Sequence, residues 1–153
     1  MQYFYSPLKD KIEFFGVDQR HESDIEGLAR IPAQEQIGVG SVPSFNIIGN
    51  SPLVLRESLL DKVYSMGDDF VSASKKLVPP GMNGPFCIEG VYDENAIFKT
   101  FEFSARIVAG TNMYLDGSPY TTLIYAEPMS MGRRIAREVK EAEKTSQIDK
   151  IVT

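Results

Sequence analysis

The chain has no tryptophan, one cysteine and one histidine among its 153 residues. Cys87 alone cannot close an internal disulfide, and with His21 the sole imidazole there is no Cys/His zinc site to assemble. Long apolar runs are missing too: none approaches the roughly 18 residues of a membrane span. Lys9, Asp10, Lys11, Glu13 and Asp18 spread charge where a secretory leader would be apolar. Neither a P-loop nor a dinucleotide fingerprint occurs, and Gly110-Thr111-Asn112 matches neither. Basic excess is lacking as well. Sixteen Lys+Arg against 21 Asp+Glu leave a net charge of −5, which argues against nucleic acid or an anionic membrane as the main partner. These absences point to a cytoplasmic protein. What is present, 42% apolar and 24% charged residues, suits one folded domain over residues 1–153.

Punctuation along the chain predicts an α+β fold. Tyr3-Phe4-Tyr5 and Lys11 to Val17 read as strands separated by Ser6-Pro7. Polar residues from Asp18 to Asp24, then Gly27, Pro32 and the Gly38, Gly40, Ser41, Pro43, Ser44 stretch, read as one long irregular connection. Phe45 to Ile48 reads as a short strand closed by Gly49-Asn50-Ser51-Pro52. Leu59, Val63, Met66, Phe70, Ala73 and Leu77 recur at helical spacing, so a long helix should run from Leu53 or Glu57 to Leu77, stopped by Val78-Pro79-Pro80-Gly81. Phe86 to Tyr92 and Ala96 to Arg106 form a hairpin pattern. Ser130 opens a last helix of about Met131 to Lys144, with Ile135, Val139 and Ala142 inward and Arg133, Arg134, Arg137 and Glu138 outward.

Alternation in the second hairpin strand puts Phe101, Phe103 and Ala105 on one face and Thr100, Glu102, Ser104 and Arg106 on the other. A four-residue loop from Asp93 to Ala96 pairs Tyr92 with Ile97 and Glu89 with Thr100. Glu102 is then a diagonal neighbour of Glu89, roughly 7–8 Å away. Two carboxylates without His or Cys beside them suit a hard ion such as Mg²⁺, which usually carries substrate phosphates in its other positions. The same spacing also describes a solvated face with Glu102 and Arg106 as a surface ion pair. Arg20-His21-Glu22-Ser23 reads as a loop after a strand, either a binding loop or simply a solvated one. Gly49-Asn50-Ser51-Pro52 either aims Asn50 and free helix N–H groups at an anion or makes a turn. Cys87 has no partner that would activate a thiolate, and reads as a small buried strand residue.

Taken together, Tyr3-Phe4-Tyr5-Ser6-Pro7, Arg20-His21-Glu22-Ser23, Arg56-Glu57-Ser58-Leu59-Leu60, Val78-Pro79-Pro80-Gly81-Met82, Gly84-Pro85-Phe86-Cys87, Phe101 to Arg106 and Glu127 to Glu138 resemble one family from end to end. It is the archaeal formate-dependent ligases of purine (IMP) synthesis, which formylate 5-aminoimidazole-4-carboxamide ribonucleotide (AICAR) and belong to the ATP-grasp superfamily. Its members are considerably longer, and only their C-terminal portion resembles this chain. The resemblance therefore implies the C-terminal half of an ATP-grasp module, an antiparallel sheet packed with a long helix and a C-terminal helix. It also implies a truncation, a split gene or a broken reading frame, with an N-terminal half supplied by another chain and self-association through the surface left bare.

The resemblance further implies ATP, AICAR and formate as substrates and Mg²⁺ (or Mn²⁺) as the metal. By position it makes Glu22 an ATP contact, Asn50 an AICAR contact, and Glu89 with Glu102 the metal ligands. Arg106 falls where it would stabilise the transferring phosphoryl group. Ser104 stands where the superfamily commonly has asparagine, so water or phosphate would fill that position on the metal. A second function class remains open, a non-catalytic nucleotide-binding or assembly module that keeps the fold without turnover.

Overall fold

Aromatic and β-branched residues with both faces buried build the two central strands, Gln2–Ser6 (β1) and Lys11–Glu22 (β2). They belong to the computed structural model of the chain, which describes residues 1–40 and 42–152, so Ser41 of the long connection lies outside it. Ile47–Leu53 (β3), Gly84–Tyr92 (β4) and Phe98–Ser104 (β5) complete one antiparallel sheet in the order β3-β2-β1-β4-β5. Two short helices, Ile25–Leu28 (α1) and Ala33–Gln36 (α2), interrupt the connection before β3. Leu60–Leu77 (α3) follows a 3-10 turn at Glu57–Leu59, and Met131–Lys144 (α4) follows two further 3-10 segments. Among the described residues no helix is long and apolar enough to cross a membrane.

Alternation sends successive side chains of β1 to opposite faces. Tyr3 and Tyr5 join Phe14, Phe86, Ile88 and the α3 residues Val63 and Val71 in one cluster, while Phe4 joins Phe15, Met129 and Met131 in another. Helices thus cover both faces of an α+β domain, as the sequence predicts. Ser130 caps α4 as expected, its hydroxyl accepting from Arg133 N–H at 3.2 Å.

Both long helices bury the stripe that the periodicity suggests only in part: Val63 is buried with Met66 and Phe70 packed beside it in α3, and Ala142 is buried with Ile135 packed inward in α4. In α3 the buried residues are Val63, Gly67 and Val71, and Leu77 is 80% exposed. Gly67 is what brings the helix down on the sheet. A Cβ there would lie 2.8 Å from Ile12 Cδ1 and 2.9 Å from the Tyr3 ring. We expect Gly67→Ala to lower stability in urea unfolding by about 1–3 kcal/mol, because overpacking outweighs the helix propensity alanine gains. An unchanged midpoint would mean that α3 can lift off the sheet freely.

In α4 the inward residues include Arg134 and Glu138, while Val139 is 45% exposed. The guanidinium of Arg134 is bidentate on Glu13 of β2 (2.8 and 3.1 Å), donates to Glu138 at 2.7 Å, and lies 4.2 Å from the Phe4 ring centroid. A charge that finds two carboxylates and an aromatic face inside outcompetes an aliphatic stripe. Burial opposes the charge on Arg134, but its hydrogen bonds to Glu13 and Glu138 outweigh it and hold the guanidinium above its ordinary pKa.

Strand limits differ as well. β2 continues through Asp18, Arg20 and Glu22, which the sequence reads as loop, because β3 pairs with it from Val17↔Leu53 to Glu22↔Ile47. Gly49-Asn50-Ser51-Pro52 is the middle of β3 and not a turn, and it sits apart from the start of α3.

Candidate functional site

Because β2 runs on to Glu22, the polar residues Asp18, Arg20 and Glu22 recur at the period of a strand. Their partners come from β1, β3 and β4. Arg20 pairs in register with Asn50 of β3, and its guanidinium forms a close ion pair with Glu89 of β4 and a longer one with Glu22 at 3.8 Å. Asp18 accepts from Asn50 Nδ2 at 2.5 Å and from Gln2 Nε2 of β1 at 2.6 Å. Glu89 in turn stands opposite Glu102 of β5. Glu22, Asn50 and Glu89, singled out in the sequence, are therefore tied by Asp18 and Arg20 into one polar array across the sheet, and Glu102 adjoins it only by standing opposite Glu89 in register.

The register at β4–β5 corrects the sequence argument twice. Tyr92 pairs with Phe98 rather than Ile97, because the Asp93 carboxylate accepts from the N–H groups of Asn95 and Ile97 and closes a longer loop. That one-residue slip would by itself turn Glu102 to the opposite face. A bulge between Glu89 and Gly90 takes up the slip. Glu89 then faces Glu102 directly, at the roughly 4.5–5.5 Å Cβ separation of a cross-strand pair rather than diagonally. Thr100 departs from the predicted face, since its hydroxyl lies 3.7 Å from Met66 Sδ on α3. Phe103 packs on the same side against Phe70, with ring centroids 5.1 Å apart.

Arg106 is not on this strand face. β5 ends at Ser104, the chain bends, and Arg106 Nη1 donates to the Ile107 carbonyl at 2.9 Å. Among the described residues no ion pair joins it to Glu102. His21 falls between the site residues in β2, its ring nitrogens meeting Ser51 Oγ at 2.9 Å and Glu26 at 3.2 Å. Cys87 is buried, and burial pushes its thiol above the ordinary value, which leaves no nucleophilic thiolate.

Sequence reasoning missed Gln2, Asp18 and Arg20. The signal was available, since Asp18, Arg20 and Glu22 alternate with Val17, Gln19 and His21, but a polar run after an apolar strand reads as its end.

Electrostatically the array sets four carboxylates against one guanidinium. No group of three or more His, Cys, Asp and Glu meets as a metal site among the described residues. The register does bring two carboxylates, Glu89 and Glu102, opposite one another, with Glu89 paired to Arg20. Two neighbouring carboxylates are a donor type compatible with Mg²⁺, which binds through one or two carboxylates and completes its shell with water and phosphate oxygens.

Comparison with known proteins adds a second line of evidence. A family model described as a domain of unknown function (DUF1297) matches residues 1–153. A 5-formaminoimidazole-4-carboxamide-1-(beta)-D-ribofuranosyl 5'-monophosphate synthetase of Nitrosopumilus maritimus is 71% identical over 153 residues, all of this chain and 45% of that protein. The identically named protein of Methanocaldococcus jannaschii is 52% identical over the same span, 42% of its length. Among solved structures, the IMP biosynthesis protein PurP from Thermococcus kodakaraensis superposes with a TM-score of 0.79 at 39% identity, covering 99% of this chain and 47% of that one. The chain spans less than half the length of these relatives.

Proposed function

The chain belongs to the DUF1297 family, and from its similarity to the named synthetases we propose that it is the C-terminal, metal-bearing part of an ATP- and formate-dependent ligase that formylates AICAR. The observation that carries the reading is the polar array. Strong similarity to named synthetases over the whole chain supports the reading beside Glu22, Asn50 and Glu89 tied through Asp18 and Arg20, with Glu102 opposite Glu89. The fold in this reading is the C-terminal half of an ATP-grasp module, and the remaining half belongs to the part of the relatives that this chain does not span.

In the proposed reaction formate attacks the γ-phosphorus of ATP, giving formyl phosphate and ADP. The 5-amine of AICAR then attacks the formyl carbon, phosphate leaves, and the nitrogen loses one proton to give the formamido product. Glu22 is assigned to the nucleotide, Asn50 to AICAR, and Glu89 with Glu102 to Mg²⁺ or Mn²⁺. When bound, such an ion supplies charge neutralisation along the terminal phosphates. Arg20, paired with both Glu22 and Glu89, offsets the repulsion between those two carboxylates and orients them. Arg106, in the bend beyond β5, is the group assigned to the transferring phosphoryl.

The test is formation of the formamido ribonucleotide from AICAR, formate and ATP. Joined to, or mixed with, the N-terminal half of a relative, the chain should give product and ADP in equal amounts, and only when formate is present. Alone it should give none, because one wall of the nucleotide site is absent and with it the exclusion of water from the phosphates. Product formed without formate, or none with the added half, would defeat the reading.

A further inference from the structure

Asp18 has no place in the reaction as assigned, yet both of its carboxylate oxygens are committed. Oδ1 accepts from Gln2 Nε2 at 2.6 Å and Oδ2 from Asn50 Nδ2 at 2.5 Å. An ionised carboxylate only accepts, so it fixes which end of each amide faces it. Both amides must point NH₂ toward Asp18 and carbonyl away. Gln2 shows the consequence: it is 1% exposed, and its Oε1 is the one buried side-chain oxygen or nitrogen without a partner among the described residues. Gly110 closes the far side, since a Cβ there would collide with the Asp18 carboxylate. Asp18 is thus boxed in by β1, β3 and the 3-10 segment at Ala109–Tyr114, with no freedom to swing aside.

We propose that Asp18 is a positioning residue for the imidazole substrate, taking the NH₂ of Asn50 so that Asn50 Oδ1 is presented as an acceptor to an exocyclic N–H of AICAR. This rests on the reading that Asn50 touches AICAR. Its content is the polarity of that contact. AICAR carries its N–H groups on the 5-amine and the 4-carboxamide, and an Asn50 free to rotate would present donor and acceptor about equally. With Asp18 in place the acceptor is selected, and a ligand offering a carbonyl or carboxylate at that point meets lone pair against lone pair. A site built this way discriminates against ligands lacking the donor, because a buried acceptor would go unpaired.

The experiment uses a full-length ligase carrying this chain as its C-terminal part, with Asn50→Ala, Asp18→Asn and the double variant. Steady-state kinetics and calorimetry with AICAR are read beside thermal unfolding. We expect Asp18→Asn to raise KM for AICAR about tenfold or more, a lost or misaligned hydrogen bond, with KM for ATP within about twofold. The double variant should bind AICAR no worse than Asn50→Ala alone, because Asp18 acts only through Asn50. If Asp18→Asn does not fold, Asp18→Ser reads the same coupling. Unchanged AICAR affinity in Asn50→Ala would overturn the assignment of Asn50 and this proposal with it. A weakened Asn50→Ala beside an unaffected Asp18→Asn, or additive losses in the double variant, would overturn the positioning role alone.

Discussion

Replacing Arg134 with methionine is expected to destabilise the domain by about 3–5 kcal/mol, a large fraction of the ~5–15 kcal/mol available to a protein of this size. Arg134 is 1% exposed and, among the described residues, is the only cation bonded to Glu13 and Glu138, which are 4% and 3% exposed. Ser6 Oγ donates to Glu138 at 2.6 Å and the Tyr125 hydroxyl donates to Glu13 through a short contact, so the carboxylates stay fixed when the cation goes. Methionine fills much of the volume, but it leaves two buried negative charges facing one another. The cost is that uncompensated buried charge, and urea unfolding at neutral pH measures it. Adding Glu13→Gln and Glu138→Gln to Arg134→Met should restore much of the loss, since neutral partners need no cation. A variant as stable as the parent at neutral pH would mean that water already reaches the cluster.

The same cluster shows where sequence reasoning stops. Strand residues with an aromatic or branched signature were legible: Tyr3-Phe4-Tyr5, Phe14-Phe15 and Phe86 to Ile88 sit in the strands their composition predicts. The helices were legible as helices and their inward faces in part, through Val63, Met66 and Phe70 of α3 and Ile135 and Ala142 of α4. Periodicity weighs side chains by apolarity, whereas Arg134 is drawn inward by Glu13, 121 positions away in the chain, and Gly67 by the absence of a Cβ. Neither cause is local. The carboxylate pair illustrates a different limit. Glu89 and Glu102 share a face as the parity argument requires, but through two departures that cancel, a longer loop at Asp93 and a bulge at Glu89/Gly90. Loop length alone would have given the wrong face. Asp18 and Arg20 were missed because strand pairing with β3, and not their own composition, holds them extended.

The two carboxylates of that pair should respond differently to removal of charge. In the full-length ligase we expect Glu102→Gln and Glu89→Gln each to lower turnover by at least about a hundredfold, since losing a donor from a two-carboxylate set weakens both the cation's hold and the neutralisation of phosphate charge. Stability should not follow turnover. Like charges directly opposite on neighbouring strands repel, so the amide at 102, an exposed position with no ion-pair partner among the described residues, should leave the melting temperature unchanged or higher. Glu89 is different, because its carboxylate is paired with Arg20 and its side chain is only 11% exposed. Glu89→Gln breaks that pair and leaves Arg20 with Glu22 as its remaining partner, at 3.8 Å. A modest loss of stability therefore accompanies the loss of turnover in Glu89→Gln and not in Glu102→Gln. Mn²⁺ binding followed by electron paramagnetic resonance separates the metal's role from the fold's, since affinity should fall in both variants while the melting temperature falls in one. Turnover within a few-fold of the parent in Glu102→Gln would remove Glu102 from the metal site. Equal loss of stability in the two variants would mean that Arg20 does not distinguish them.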